Sequence, residues 1–123
     1  MTTAAQMIEQ MIGKVFATRN AAHVEHWKTK SYAQHQALGA FYDGVIDLLD
    51  KLVEAYQGAA GLIGDVVTDD EKSEQIIDRL KDEVVWLEQN KASCCKEISA
   101  LENIVDEMVA LYLSTIYKLE NLG

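Results

Sequence analysis

No proline stands anywhere in this chain of 123 residues, and that absence constrains the fold more than any residue present. Proline ends helices and populates tight turns, so a chain without it suits long uninterrupted helices better than short strands joined by tight turns. Helix formers dominate outside one glycine-rich stretch, and hydrophobic residues make up 49% of the sequence. The expected class is all-α, in one domain, because a chain of this length supports a single core.

Apolar residues recur at helical spacing in four segments, about 3–30, 34–57, 70–90 and 93–121. The first carries Ile8, Met11, Ile12, Val15 and Phe16, and the same stripe continues as Arg19, Ala22, His23, His26, Trp27 and Lys30. Its inner face therefore turns polar toward its C-terminal end, a local departure from the pattern of a simple core helix. The second has a seam of Leu38, Tyr42, Val45, Leu49, Leu52 and Tyr56, with Asp43, Asp47, Asp50 and Glu54 on another face. The third carries Ile76, Ile77, Leu80, Val84 and Leu87, and the fourth Ile98, Leu101, Val105, Met108, Tyr112 and Leu119. The only glycine-rich segment, with Gly58, Gly61 and Gly64, separates helices two and three, and Asp69 or Asp70 is the expected N-cap that follows it.

Connection lengths select the topology. The first and third are a few residues long and force antiparallel neighbours, whereas the middle one spans up to roughly 40 Å when extended, enough to cross the bundle end to end. Helices two and three then run parallel, which is the ferritin-like arrangement of short, long-crossover and short connections.

The net charge of −9 argues against a nucleic-acid surface, since phosphate binding depends on Lys and Arg. No apolar run reaches membrane-spanning length and no leader precedes a cleavage site, so the expected setting is the cytoplasm, away from membranes. Cys94 and Cys95 are adjacent, which strains a mutual disulfide, and two cysteines do not make a zinc framework; both are expected reduced.

The groups that bind metals or move protons at neutral pH are concentrated in one stretch, as His23, His26 and His35. His23 and His26 form His-x-x-His, a spacing that brings two imidazoles to one helix face. Glu-x-x-His, the signature of a di-iron centre inside a single bundle, is absent. His26 and His35 flank the first turn, while Asp50 and Glu54 lie further along helix two, with about 22 Å separating His35 from Asp50. One subunit does not join them. A two-fold axis pairing helix two with its own copy, antiparallel, would set the histidines of each subunit against the carboxylates of the other and create two equivalent sites.

His26-Trp27, then His35, then Asp50 and Glu54 together resemble the di-iron motif of Dps proteins, the miniature members of the ferritin superfamily. The resemblance covers helices one and two, and the spacings of 15 residues from His35 to Asp50 and 4 from Asp50 to Glu54 agree with it. It implies His26 and His35 as nitrogen ligands, Asp50 and Glu54 as terminal or bridging carboxylates, and His23 as an additional candidate. Iron would be bound between two subunits, with manganese or zinc as alternatives, and Fe(II) would be oxidised by peroxide or oxygen. A homodimer is the implied minimum assembly, and a larger homo-oligomer or shell the further possibility. The segment from His26 to His35 also resembles short uncharacterised ferritin-like proteins, several of them from phages.

The chain departs from the Dps pattern at two points. His26 to His35 is three residues shorter, and Gly39 stands one turn after His35 in place of a carboxylate. His23 restores the longer spacing, but Trp27 then no longer directly follows the ligand. Two other readings therefore stand beside a ferroxidase-like metal site. One is a catalytically inactive bundle acting as an interaction or structural module, with the histidines hydrogen-bonded near a helix end and Trp27 packing at a contact. The other is an acidic decoy that meets a basic protein through helix two and Asp69-Asp70-Glu71. Glu102 and Asp106 are read as surface residues, and Met7, Met11 and Met108 as core filling.

Overall fold

The computed structural model describes residues 3–68 and 74–123, apart from the side chain of Ala4. The chain forms four helices, α1 (Ala4–Lys28), α2 (Tyr32–Ala60), α3 (Ile76–Cys95) and α4 (Ser99–Asn121). None of the helices described is long and apolar enough to cross a membrane.

Several boundaries have a local cause. A capping box starts α1, with Gln6 N–H donating to Thr3 Oγ1 and Thr3 N–H donating to Gln6 Oε1. Ser31 caps α2 by accepting from Gln34 N–H, so α2 starts two residues earlier than its apolar pattern does. It also runs three residues past Gln57, until Gly61 turns to φ 101°. The expected caps Asp69 and Asp70 lie outside the described residues, and α3 itself begins after Gln75, which makes no side-chain cap bond. The turn between α3 and α4 falls at 96–98, not at 91–92. Lys96 and Glu97 both adopt left-handed backbone there, and the N–H of Glu97 bonds back to the carbonyl of Ala92.

Contacts between α1 and α3, together with the two short turns, give the direction of every helix. Thr18 of α1 meets Arg79 and Glu83 near the start of α3, while the Met7 carbonyl accepts from Cys94 Sγ near its end, so α1 and α3 are antiparallel. With α1–α2 and α3–α4 closed by three-residue turns, α2 and α3 run parallel. Packed neighbours are α1·α2, α2·α4, α4·α3 and α3·α1, which leaves the parallel pairs on the diagonals of a square bundle. This is the single-crossover connectivity expected from the loop lengths.

The crossover climbs along α1. Gly64 N–H donates to Glu9 Oε2 at 2.6 Å, Ile63 N–H donates to Gln57 Oε1, and Ile63 and Val66 pack on the core. A Cβ at Gly13 would lie 2.1 Å from the Val67 carbonyl oxygen, so the close passage of the crossover requires glycine there. Inside, Leu38, Phe41, Val45, Leu52, Leu80, Leu87, Val105, Met108 and Tyr112 are completely buried. Met11 is buried and Met7 packs against this core, as core filling requires.

Candidate functional site

The turn of Thr29, Lys30 and Ser31 brings the end of α1 against the start of α2, and all three histidines gather there. His26 and His35 stack face to face, with ring centroids 3.7 Å apart and planes 18° from parallel. Each ring also bonds the other residue's backbone. His26 Nδ1 lies 2.6 Å from the His35 carbonyl oxygen, and His35 Nδ1 lies 2.8 Å from the His26 carbonyl oxygen. A carbonyl oxygen only accepts, so both Nδ1 atoms carry hydrogen, and in the neutral form of each ring the lone pair is on Nε2. The His26 carbonyl belongs to the last turn of α1, where no intrahelical partner exists, so His35 caps one helix from the next.

A second column of rings continues outward. His23 stacks on Tyr42 at 4.0 Å, Trp27 lies 4.3 Å from His23, and the Arg19 guanidinium sits 5.3 Å over the other ring of the column, Tyr42. Trp27 is 67% exposed, and Tyr32, the first residue of α2, is 76% exposed. The polar continuation of the α1 stripe is thus divided. Ala22 is buried, His23 and His26 are half-buried between helices, and Trp27 points out.

Gly39 has a steric reason. A Cβ there would stand 3.2 Å from His26 Cε1 and 3.4 Å from its Nδ1, so the imidazole occupies the space a side chain would need. A carboxylate at this position would crowd the His26 ring and require it to shift by a few tenths of an ångström.

Asp50 and Glu54 lie far down α2, exposed, one turn apart, and with no ion-pair partner among the described residues. Asp43 and Asp47 are exposed beside them. Although the three histidines are neighbours, among the described residues no three His, Cys, Asp or Glu side chains are placed so that they could hold a metal ion within one chain. Of the five residues singled out from the sequence, the fold joins His23, His26 and His35 and leaves Asp50 and Glu54 apart. Glu102 is half-buried, and Asp106 is exposed and pairs with Lys91 Nζ at 2.9 Å.

The sequence reading missed a second polar cluster, inside the bundle. Arg79 Nε donates to Thr18 Oγ1 at 3.0 Å, and Thr18 Oγ1 donates to Glu83 Oε2. All three side chains are buried. The Tyr112 hydroxyl, also buried, has no hydrogen-bond partner among the described residues, and its ionisation is pushed well above the usual range by burial and then by the Glu83 charge. The signal lay in register: Thr18 falls on the stripe between Val15 and Ala22, and Arg79 and Glu83 sit one residue before Leu80 and Val84. Cys94 and Cys95 are free and buried; burial pushes their thiols up to about 12 and about 11, which leaves them protonated and unreactive at neutral pH.

Comparison with known proteins finds a match over residues 26–119 to the family described as "Family of unknown function (DUF5856)". A relative in Enterobacteria phage T4, "Uncharacterized 14.6 kDa protein in mobD-ri intergenic region", is 27% identical over 117 residues, covering 90% of this chain and 86% of its own length. The phage relative agrees with the phage part of the resemblance read from the sequence. No solved structure matches.

Proposed function

The chain belongs to the DUF5856 family of unknown function, and we propose that it works as a non-catalytic helical interaction module whose contact surface is the α1–α2 end of the bundle. One observation carries this reading: two large aromatic side chains, Trp27 and Tyr32, stand in water on either side of a turn locked by two reciprocal histidine–carbonyl bonds. A tryptophan offers roughly 150–250 Å² of surface, and leaving most of it wet forgoes several kcal/mol that a partner would recover. Tryptophan, tyrosine and arginine are also the side chains that dominate binding energy at protein contacts. In this reading the histidines serve as the frame, with both Nδ1 hydrogens spent on helix carbonyls. The test is a photo-crosslinking residue placed at Tyr32 in the cells that make the protein, with Val85, exposed on α3, as the control position. A discrete adduct from position 32, absent from position 85 and lost with Trp27→Ser, is expected. Equal labelling from both positions, or none, would overturn the module.

A second reading keeps the metal chemistry and has its own observation. An Nδ1–H held by a carbonyl is how metal-ligating histidines are oriented, and it turns Nε2 of His26 and His35 into available donors. Two rings stacked face to face hold their lone pairs in separate, nearly parallel planes, so they do not share one ion. Each would hold its own iron, manganese or zinc ion, with Asp50 and Glu54 of a second subunit completing the set and Fe(II) oxidation as the activity. Anaerobic Fe(II) titration followed by peroxide or air, against His35→Ala with Glu54→Ala, decides it. Saturable binding and fast oxidation lost in the double variant would support the site, whereas binding equal to that variant would remove it.

A further inference from the structure

Charge is segregated along this chain in a way the overall value of −9 hides. Residues 10–42 contain Lys14, Arg19, Lys28 and Lys30 against one carboxylate, Glu25, a net of +3 with the histidines neutral, which leaves −12 for the rest. Three of the four exposed carboxylates of α2, at positions 47, 50 and 54, follow directly below this cationic region, and Asp43 marks its edge.

Arg19 sharpens the contrast. It is half-buried with its guanidinium 5.3 Å over the Tyr42 ring, its Nε is buried without a hydrogen-bond partner among the described residues, and Nη1 donates to the side-chain oxygen of its neighbour Asn20. No carboxylate pairs with it among the described residues, in a chain where Asp and Glu outnumber Lys and Arg by 20 to 11. A planar guanidinium held over a ring with no carboxylate of its own is suited to one supplied from outside. Beside the acidic stripe, Tyr42, Ile46 and Val53 fall within about 40° of one another on α2, and with Phe16 of α1 they form half-buried apolar side chains already packed on the core.

We propose that this α1–α2 face pairs with a second copy of the chain about a two-fold axis near Ile46. The proposal rests on the interaction-module reading and names its partner. Ile46 is midway between Tyr42, beside which Arg19 sits, and Asp50, and each arm is about 6 Å of helix. A perpendicular two-fold at that point sets Arg19 and His23 of each copy against Asp50 of the other, and Trp27, one turn higher, toward Glu54. The cationic and acidic halves are both satisfied, twice, while the apolar strips close on each other as the dry centre. A second copy fits better than a generic acidic partner because it brings carboxylates at the matching spacing.

Sedimentation of the full chain over a micromolar to millimolar range tests this, using wild type, Arg19→Glu, Asp50→Arg and the combined variant, each checked for retained helix content. The wild type is expected to reach twice the 13.7 kDa chain mass, more readily at low salt. Each single reversal should raise Kd by about tenfold or more, and the combined variant, which restores opposite charges, should recover most of the loss. Asp50 is exposed, so Asp50→Arg remains informative even where Arg19→Glu disturbs packing. A wild type that stays monomeric, an Asp50→Arg protein that associates normally, or a folded combined variant that fails to recover would each overturn the pairing. A monomeric wild type that still crosslinks a different protein from position 32 would remove self-pairing and leave the module reading standing.

Discussion

On the packed side of helix α1, Thr18 and the His23–His26 pair are both polar, and the fold treats them in opposite ways. Thr18, halfway along, is buried in the α1–α3 contact with Arg79 and Glu83, where a missing partner is costly. His23 and His26, one and two turns further, sit half-open against α2, where carbonyls and ring faces hold them and solvent is close. The difference teaches that polarity on a helix stripe has no single meaning. Sealed polarity specifies which helices pack together, while half-open polarity shapes a surface that something else can meet.

The sharpest way to break this comparison is to remove the sealed acceptor. Glu83→Leu leaves the Thr18 hydroxyl without its acceptor and strips a neutralising charge from the buried Arg79, and is expected to cost about 3–5 kcal/mol in urea unfolding. A loss under about 1 kcal/mol would mean that water reaches the α1–α3 contact after all.

Gly13→Ala comes next. Helix propensity alone would favour alanine by about 1 kcal/mol, but the Val67 carbonyl occupies the space, so a net loss of about 1–3 kcal/mol is expected from thermal or urea melts. A stabilised variant would show that the crossover does not press on α1.

At the half-open end each effect should be smaller. His26→Ala and His35→Ala are expected to cost about 1 kcal/mol each, and the double variant less than their sum, because each imidazole both stacks on the other and bonds the other's carbonyl. Strict additivity in the double-mutant cycle would break the clamp.

The smallest effect at neutral pH lies with the thiols and shows only in alkali. Both cysteines are raised in the folded chain, so unfolding releases protons once the pH passes about 9, and stability falls from there toward about 12. Urea midpoints that stay flat across that window would show that the thiols are not sealed. Below pH 9 these groups contribute a constant amount, because they are protonated in both states.

Much of the bundle was legible because its signals are local. Leu38, Val45, Leu49 and Leu52 on α2, and Leu101, Val105 and Met108 on α4, follow helical periodicity and are buried where it places them. The α3–α4 turn was misplaced by about five residues because its signal is absent. Lys96 and Glu97 adopt left-handed backbone without the glycine that usually announces it. Gly13 and Gly39 were equally silent, since each is explained by an atom distant in sequence, the Val67 carbonyl oxygen in one case and the His26 ring in the other.

The sequence by itself determined four helices, their apolar faces and, through one long connection between two short ones, the parallel course of α2 and α3. These follow from side-chain periodicity and chain reach, which act within a segment. Only the tertiary structure decided that His26 and His35 clasp each other's helix, that Thr18 faces Arg79 and Glu83, and that Trp27 is left in water. A polar side chain acquires its role from the partner opposite it, and which partner that is depends on how helices rotate and seat against one another. That rotation is set by the packing of the whole core, so no single segment carries it.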